Sequence, residues 1–198
     1  MSAKRLLDMV GSSAGLIVLS PVLLVIAIAI RLDSPGPVFF RQERIGLRGK
    51  PFQIHKFRTM AVDPTGTARQ LTVGADRRIT RVGHVLRKYK LDELAQLIDV
   101  FTGTMSLVGP RPEVPKYVAA YPVEVREIVL SVKPGITDLA SIEYRDESTL
   151  LGKSDDPERT YIEEVLPAKL SYCIRYAQHH SIWLDLRIIA RTIIAVLR

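Results

Sequence analysis

"MVGSSAGLIVLSPVLLVIAIAI", Met9 to Ile30, runs for 22 residues without a charge, about the ~20 that a helix needs to cross the hydrocarbon of a bilayer. Pro21 stands near its middle, where it removes a backbone hydrogen bond and crowds the preceding turn. A straight spanning helix should therefore bend at Ser20-Pro21, and the Ser20 hydroxyl can serve part of the carbonyl capacity that proline frees. Both flanks are basic. Lys4 and Arg5 precede the run, and Arg31, Arg41, Arg44, Arg48 and Lys50 follow it. Positive flanks favour the cytoplasmic side, so the pattern predicts a helix broken at Ser20-Pro21 that enters the membrane and returns to the same face. A bent single span is the first alternative. A signal peptide is the second, since Ala27-Ile28-Ala29 has the small-residue spacing of a cleavage site, but the length and the internal proline argue against it.

Outward from this run, composition sets bounds. At 198 residues, with 47% hydrophobic and 25% charged residues, the chain suits one folded domain and not a disordered tail. A formal net charge of +7 predicts an anionic partner, which could be nucleic acid, an acidic lipid surface or a phosphorylated small molecule. The single cysteine, Cys173, excludes an intramolecular disulfide, and its neighbours Tyr172, Ile174 and Tyr176 give it a packing role.

After the apolar run, Val38 to Gln42 and Phe52 to Phe57 are rich in aromatic and β-branched residues and enclose Gly46 and Gly49, a β-hairpin pattern. Ala61 to Asp76 carries Pro64, Gly66 and Gly74 and reads as a mobile loop beside whatever site exists. A helical pattern begins near Ile79, on which Arg77, Arg81, His84 and Lys88 form one basic stripe, suited to solvent or to lipid headgroups.

Then comes "RKYKLDELAQL", Arg87 to Leu97. Six Lys or Arg and no acid occur from Arg77 to Lys90, and Asp92 and Glu93 follow side by side. Leu94, Leu97, Ile98 and Phe101 recur at helical spacing as the expected buried side, which puts the two acids in or just before the first turn. Acids there complement a helix dipole. They also suit phosphate chemistry: adjacent side chains project about 100° apart, so one can act chemically while the other holds a cation, and Mg²⁺ takes one or two protein carboxylates and completes its shell with water and phosphate.

In "MSLVGPRPE", Gly109, Pro110 and Pro112 fix the backbone around Arg111, a rigid presentation of a guanidinium that suits bidentate phosphate binding. The alternative is a plain turn before a helix beginning at Pro112 and Glu113. "VKPGIT", Val132 to Thr137, is a further Pro-Gly turn after a helical stretch from Val123 to Leu130.

Taken in order, "FRQERIG", "HKFRTM", "DRRITRVGHVLRKYKLDELAQLIDVFTGTMSLVGPRPE" and "VKPGIT" resemble the bacterial sugar transferase family, the monotopic phosphoglycosyl transferases. The resemblance covers nearly the whole chain, as far as "LDLRII", and the length is similar to small members that consist of the catalytic core alone. It implies transfer of a sugar 1-phosphate from a UDP-sugar donor to a polyprenol phosphate acceptor, giving polyprenol diphosphate sugar and UMP as the first step of glycoconjugate assembly. It implies Asp92 as the nucleophile of a covalent phosphosugar intermediate, Glu93 as the ligand of a Mg²⁺ cofactor, and Arg87 and Arg111 as phosphate-binding residues. Lys56, Arg58, Thr59 and Arg78 fall in the matching segments as substrate-binding residues, and Ser20 and Pro21 match the kink of a re-entrant membrane helix. An aspartate is ionised at neutral pH and needs no general base, provided cations quench its repulsion of phosphate. The chain departs from the family at Lys90, where Ser or Thr is common as a helix cap, and at Asp138 and Ser141 in "ITDLAS", where "ITGLAQ" is common, a difference read as bearing on the sugar.

Near the end, "IWLDLRIIARTIIAVLR" sets Ile182, Leu186, Ile189, Ile193 and Val196 on one stripe, away from Arg187, Arg191 and Arg198. This is the pattern of an interfacial helix with Trp183 at headgroup level, or else of a core helix. Asp185 has no account in this pattern, and His179 and His180 lack metal-ligand spacing. The expected fold class is α+β, mostly helical: a monotopic membrane protein with a kinked re-entrant helix over residues 1–31, a catalytic core over 32–198, interfacial amphipathic helices and a small β-hairpin. The expected place is the bacterial inner membrane, with the active site on the cytoplasmic face, the lipid bilayer as a partner and no nucleic acid. The competing class is a membrane-anchored basic binding module without catalysis.

Overall fold

A computed structural model of the chain describes residues 2–61, 76 and 78–197, the last two by backbone alone. In chain order it has α1 (Ala3–Asp33), a hairpin of β1 (Phe39–Ile45) and β2 (Pro51–Phe57), α2 (Arg81–Lys88), a 3₁₀ segment (Leu91–Gln96), α3 (Leu97–Thr102) and β3 (Ser106–Val108). There follow α4 (Pro115–Ala119), α5 (Val123–Val129), β4 (Gly135–Thr137), α6 (Leu139–Glu143), α7 (Glu147–Leu151), α8 (Pro157–Thr160), a π-helical turn (Tyr161–Val165), α9 (Leu166–His179) and α10 (Ile182–Leu197). The class is mostly helical, with a two-stranded antiparallel sheet as expected and a second, parallel pair, β3 with β4, that the sequence reading treated as two turns. The expected loop from Ala61 to Asp76 and the position of Arg77 lie largely outside the described residues, as do Arg198 and the side chain of Val196.

Helix α1 is long and apolar enough to cross a membrane. It runs through Ser20-Pro21 without a gap, so the expected break is one missing hydrogen bond and not a division into two helices. The carbonyl left open by Pro21 is that of Ile17, and the Ser20 hydroxyl donates to it at 2.8 Å. Ile17, Val18, Leu24, Val25 and Ile28 are exposed, while Ile26 and Ile30 pack on Phe57, Leu86 and Ala95. A core helix would bury the larger part of this surface; α1 leaves most of it exposed.

Both ends of α1 are tied into the rest of the chain. Lys4 donates to Asp185 at 2.7 Å and to Tyr176 and the Val108 carbonyl at 3.0 Å each, and Arg5 donates to the carbonyls of Val100 and Phe101. Asp8 accepts from Ser106 and from the Leu107 amide. Asp185, 1% exposed, is thus the buried counter-charge of Lys4. Both N-terminal cations counted as a basic flank already have protein partners. At the other end Asp33 accepts from the amide of Val82.

One expected apolar stripe is shifted in phase, and the other lies mostly on the surface. Phe101 is 50% exposed and Leu94 and Ile98 are only half-buried, whereas Ala95, Gln96, Leu97 and Val100 face inward. The cause is local: residues 91–96 form a 3₁₀ helix, whose three residues per turn shift the phase of any stripe drawn at 3.6. On α10, Ile182, Trp183, Leu186 and Ile193 are exposed while Ile188 and Asp185 are buried. Ile182, Leu186 and Ile193 of the predicted α10 stripe therefore point out of the core while Ile189 packs against it, with Arg187 and Arg191 exposed as well.

Candidate active site

Side chains alternate along β2. His55 turns toward α3, where its amide and Nδ1 meet the Asp99 carboxylate at 2.8 and 2.7 Å. Lys56 turns to the other face and donates to Glu93 Oε1 at 2.9 Å. The end of the strand is held against α2 by a close approach. A Cβ built on Gly83 would stand 2.0 Å from the Thr59 carbonyl oxygen, so only glycine lets the helix seat there. Thr80 caps α2 by accepting from the Gly83 amide. This seating brings Arg87 to Thr59, with Nη1 and Oγ1 3.5 Å apart.

Between α2 and the acids the chain turns at Lys90, which has φ 55 in the left-handed region and makes no side-chain cap. A non-glycine residue there is strained. The helix cap that the departure from Ser or Thr put in question is absent. Asp92 and Glu93 occupy the first turn of the 3₁₀ segment, as expected.

Arg111 arrives from the opposite side on two interlocked turns. A Cβ on Gly109 would meet the Lys133 carbonyl oxygen at 2.3 Å, and one on Gly135 would meet the Gly109 amide nitrogen at 2.1 Å. The "GPRP" and "KPGI" segments press backbone to backbone, joined by Gly109 N–H to Thr137 O at 3.1 Å and Gly135 N–H to Pro110 O at 3.0 Å. The helix after this turn starts at Pro115 and not at Pro112. Arg44 Nη1 donates to the Pro112 carbonyl at 3.0 Å, and the amide of Arg111 donates to Asp138 Oδ2 at 3.2 Å. So held, the Arg111 guanidinium grips Glu93 with both arms, Nη1 to Oε2 at 2.9 Å and Nη2 to Oε1.

The two neighbouring acids end in opposite electrostatic states. Burial pushes Glu93 up, but Arg111 and Lys56 outweigh it and hold the carboxyl well below its usual range. Burial, and then the charge of Glu93, raise Asp92, with Lys56, Arg87 and Arg111 pulling only part of the way back. Asp92 is 9% exposed, and its Oδ1 is buried without a hydrogen-bond partner. Burial lowers Lys56, partly offset by Glu93.

Of the residues singled out in the sequence, Lys56, Glu93 and Arg111 thus form one ionic cluster beside Asp92, with Arg87 and Thr59 adjoining. Arg58 is elsewhere. It is buried, and it donates to the carbonyls of Ile30 at 3.4 Å, Ser34 at 2.7 Å and Pro35, closing the C-terminus of α1. Arg78 clasps Asp76 through Nε and Nη2 and holds that carboxyl down to about 2. Among the described residues no group of three His, Cys, Asp or Glu side chains has the arrangement of a protein-only metal site. The donors that fit Mg²⁺ are Asp92 Oδ1, buried and without a partner, and Glu93, whose oxygens a cation would share with or take from Lys56 and Arg111. Sequence reasoning missed Arg44 and Asp138 as supports of the Arg111 turn, and Glu113, whose carboxylate lies 3.7 Å from Arg44 Nη1; the one signal is the departure at Asp138, which points equally to sugar choice.

Comparison with known proteins gives a consistent result. Residues 1–198 match the pattern of a family described as bacterial sugar transferase. A UDP-glucose:undecaprenyl-phosphate glucose-1-phosphate transferase of Klebsiella pneumoniae is 41% identical over 98% of this chain and 40% of its own length. One of Caulobacter vibrioides is 39% identical over 98% of this chain and 69% of its own. A UDP-N-acetylgalactosamine-undecaprenyl-phosphate N-acetylgalactosaminephosphotransferase of Aeromonas hydrophila is 35% identical over 98% of this chain and 43% of its own. The chain therefore spans well under half the length of two of these three relatives.

Proposed function

The chain belongs to the bacterial sugar transferase family, and on that premise we propose that it transfers a sugar 1-phosphate from a UDP-sugar to a polyprenol phosphate at a membrane surface, through a phosphosugar attached to Asp92. The observation that carries this reading is the contrast between the two acids: Glu93 is saturated by cations, while Asp92 Oδ1 is buried and unpartnered beside them. The transfer itself is supported by the family relatives named as UDP-sugar:undecaprenyl-phosphate transferases.

In the first half-reaction an Asp92 oxygen attacks the phosphorus that bears the sugar. A new O–P bond forms, the bond to the bridging oxygen breaks, and UMP leaves with that oxygen and its electron pair. In the second, an oxygen of the polyprenol phosphate attacks the same phosphorus and Asp92 regains its carboxylate. No proton need be removed from either nucleophile, so the site needs no general base. What it needs is positive charge. Arg111 presents a two-armed donor suited to phosphate oxygens, Lys56 a point charge, and Arg87 a further guanidinium on the Asp92 side. Burial keeps water from competing for the acyl phosphate and makes the Asp92 carboxylate a stronger base than a solvated one. Bound Mg²⁺ would neutralise diphosphate charge and assist departure of UMP; Asp92 and Glu93 are the residues that would hold it.

The membrane placement belongs to the same proposal. We infer that α1 enters and leaves the bilayer on the cytoplasmic face, because its middle is apolar and exposed while both of its ends are bonded to the rest of the chain. The test supplies protein in nanodiscs with Mg²⁺ and a panel of UDP-sugars, without acceptor. UMP release with a phosphosugar adduct on Asp92 by intact mass is expected, and Asp92→Asn should show neither. UMP formed only when polyprenol phosphate is present, with no adduct, would remove the covalent step and leave Asp92 an electrostatic role.

A further inference from the structure

Arg111 points at the acids because the backbone that carries it is held in place, and one hold is a carboxylate at an unusual position. Asp138 is 2% exposed and lies at the start of α6. Its two oxygens do different work. Oδ1 accepts from the Ser141 amide at 2.6 Å and caps α6, while Oδ2 accepts from the Arg111 amide at 3.2 Å and faces the Cys173 thiol at 3.8 Å. A glycine, the common residue in the resembling motif, could supply neither acceptor.

We propose that Asp138 is a positioning residue for donor binding, which fixes the Arg111 amide so that its guanidinium meets the diphosphate of the UDP-sugar. The proposal rests on the phosphotransfer reading above. Three features support a directed role over general packing. The Arg111 turn is also held by the backbone contacts of Gly109 and Gly135, so the bond to Asp138 is not its only support. The bond reaches the one residue of that turn whose side chain enters the site. And the carboxylate offers a separate oxygen to each donor, Oδ1 to Ser141 and Oδ2 to Arg111, where a hydroxyl or an amide has a single acceptor oxygen.

That last point supplies the variants. In Asp138→Ser a single hydroxyl can still cap α6, since serine is a good N-cap, but no acceptor remains for Arg111. In Asp138→Asn the carboxamide has one oxygen for the cap and turns an N–H₂ toward the Arg111 amide. Both should fold by circular dichroism. Donor KM in the steady state should rise about tenfold, a factor equivalent to ~1.4 kcal/mol, while KM for polyprenol phosphate moves less than about twofold. In an Arg111→Ala background, Asp138→Ser should cost less than about twofold more, because the effect acts through Arg111.

An unchanged donor KM in both folded variants overturns the proposal. So does a loss that is as large in the Arg111→Ala background, which would give Asp138 a role of its own. A wild-type protein that turns over no UDP-sugar would instead refute the phosphotransfer reading, and this proposal with it, so the two failures are told apart by the unaltered protein.

Discussion

Asp92→Asn is expected to abolish turnover and, at the same time, to make the protein more stable. Asp92 is buried, its Oδ1 has no partner, and its neighbour Glu93 is a carboxylate held ionised by Arg111 and Lys56. Burial and then Glu93 raise its carboxyl above the usual value of 3.8. A carboxyl raised in the folded state carries no penalty where folded and unfolded chains are both protonated, and its full penalty once pH exceeds the folded value. The wild-type deficit therefore opens as pH rises from about 4 and is complete above the folded pKa. Leaving a buried polar group unsatisfied costs about 1–3 kcal/mol. Asparagine removes the charge but keeps a dipole in the same place, so a gain of about 1–2 kcal/mol is expected. For a chain of this length that moves Tm upward by about 2–8 °C. Thermal unfolding in detergent, followed by circular dichroism at about pH 7.5 and about pH 4, measures it. A variant no more stable than wild type at the higher pH, or a difference as large at the lower one, would refute the reasoning.

Glu93→Gln leaves Lys56 and Arg111 facing each other, and with all three side chains part-exposed at 15–27% the loss should be about 2 kcal/mol, below the 3–5 of a fully buried pair. Since the Glu93 carboxyl is depressed below 4.5, that stability is present at neutral pH and lost as pH falls through the folded value, so the variant and wild type should converge in acid. Lys90→Gly relieves a left-handed residue at φ 55 and should raise the denaturant midpoint by the equivalent of about 0.5–1 kcal/mol, after the added chain entropy of glycine; a lower midpoint would show that the Lys90 side chain contributes more than its backbone strain costs. Cysteines at Ser2 and Ser34 should both label from the cytoplasmic side alone, Cys173 being buried. Pro21→Leu, which restores the missing helix hydrogen bond and removes a proline cost on the order of 3 kcal/mol, should shift some molecules toward opposite-side labelling.

Local signals in the sequence were read well where a single element carried them. The charge-free run gave α1, and the Gly46 and Gly49 turn gave the hairpin whose strands are Phe39–Ile45 and Pro51–Phe57. The acids were placed in the first turn of the element they open. What escaped depends on parts of the chain far apart. Lys4 and Asp185 are 181 residues apart, so in the sequence one looks like a membrane flank and the other has no partner in sight. β3 and β4 are three residues each, too short for a period-two pattern, and their Pro-Gly ends look like turns because they are turns that also happen to interlock. The 3₁₀ segment defeated the apolar stripe since no residue in it announces a tighter helix. Arg58 lies in a motif of cations, and nothing local distinguishes the one that closes a helix terminus from the one that faces the cleft.

The order of the two acids then has a physical meaning that neither composition nor motif conveys. Two adjacent carboxylates among shared cations could have divided the positive charge evenly; instead both oxygens of Glu93 take Lys56 and Arg111, and Asp92 is left with desolvation and a like-charged neighbour. Environments that drive two acids apart in pKa assign them different tasks. Glu93 pins Lys56 and Arg111 in place, and its ion pairs contribute the stability that Asp92 subtracts. On the proposed reaction an incoming diphosphate competes with Glu93 for the same two cations, and each donor it wins is lost from Glu93 at the moment phosphorus comes within reach of Asp92. The attack removes the Asp92 charge by forming the O–P bond, which relieves both causes that raise its carboxyl. The strain held by Asp92 in the resting site is thus discharged in the chemical step itself, and an Asp92→Asn protein that is stable and inert would be its direct consequence.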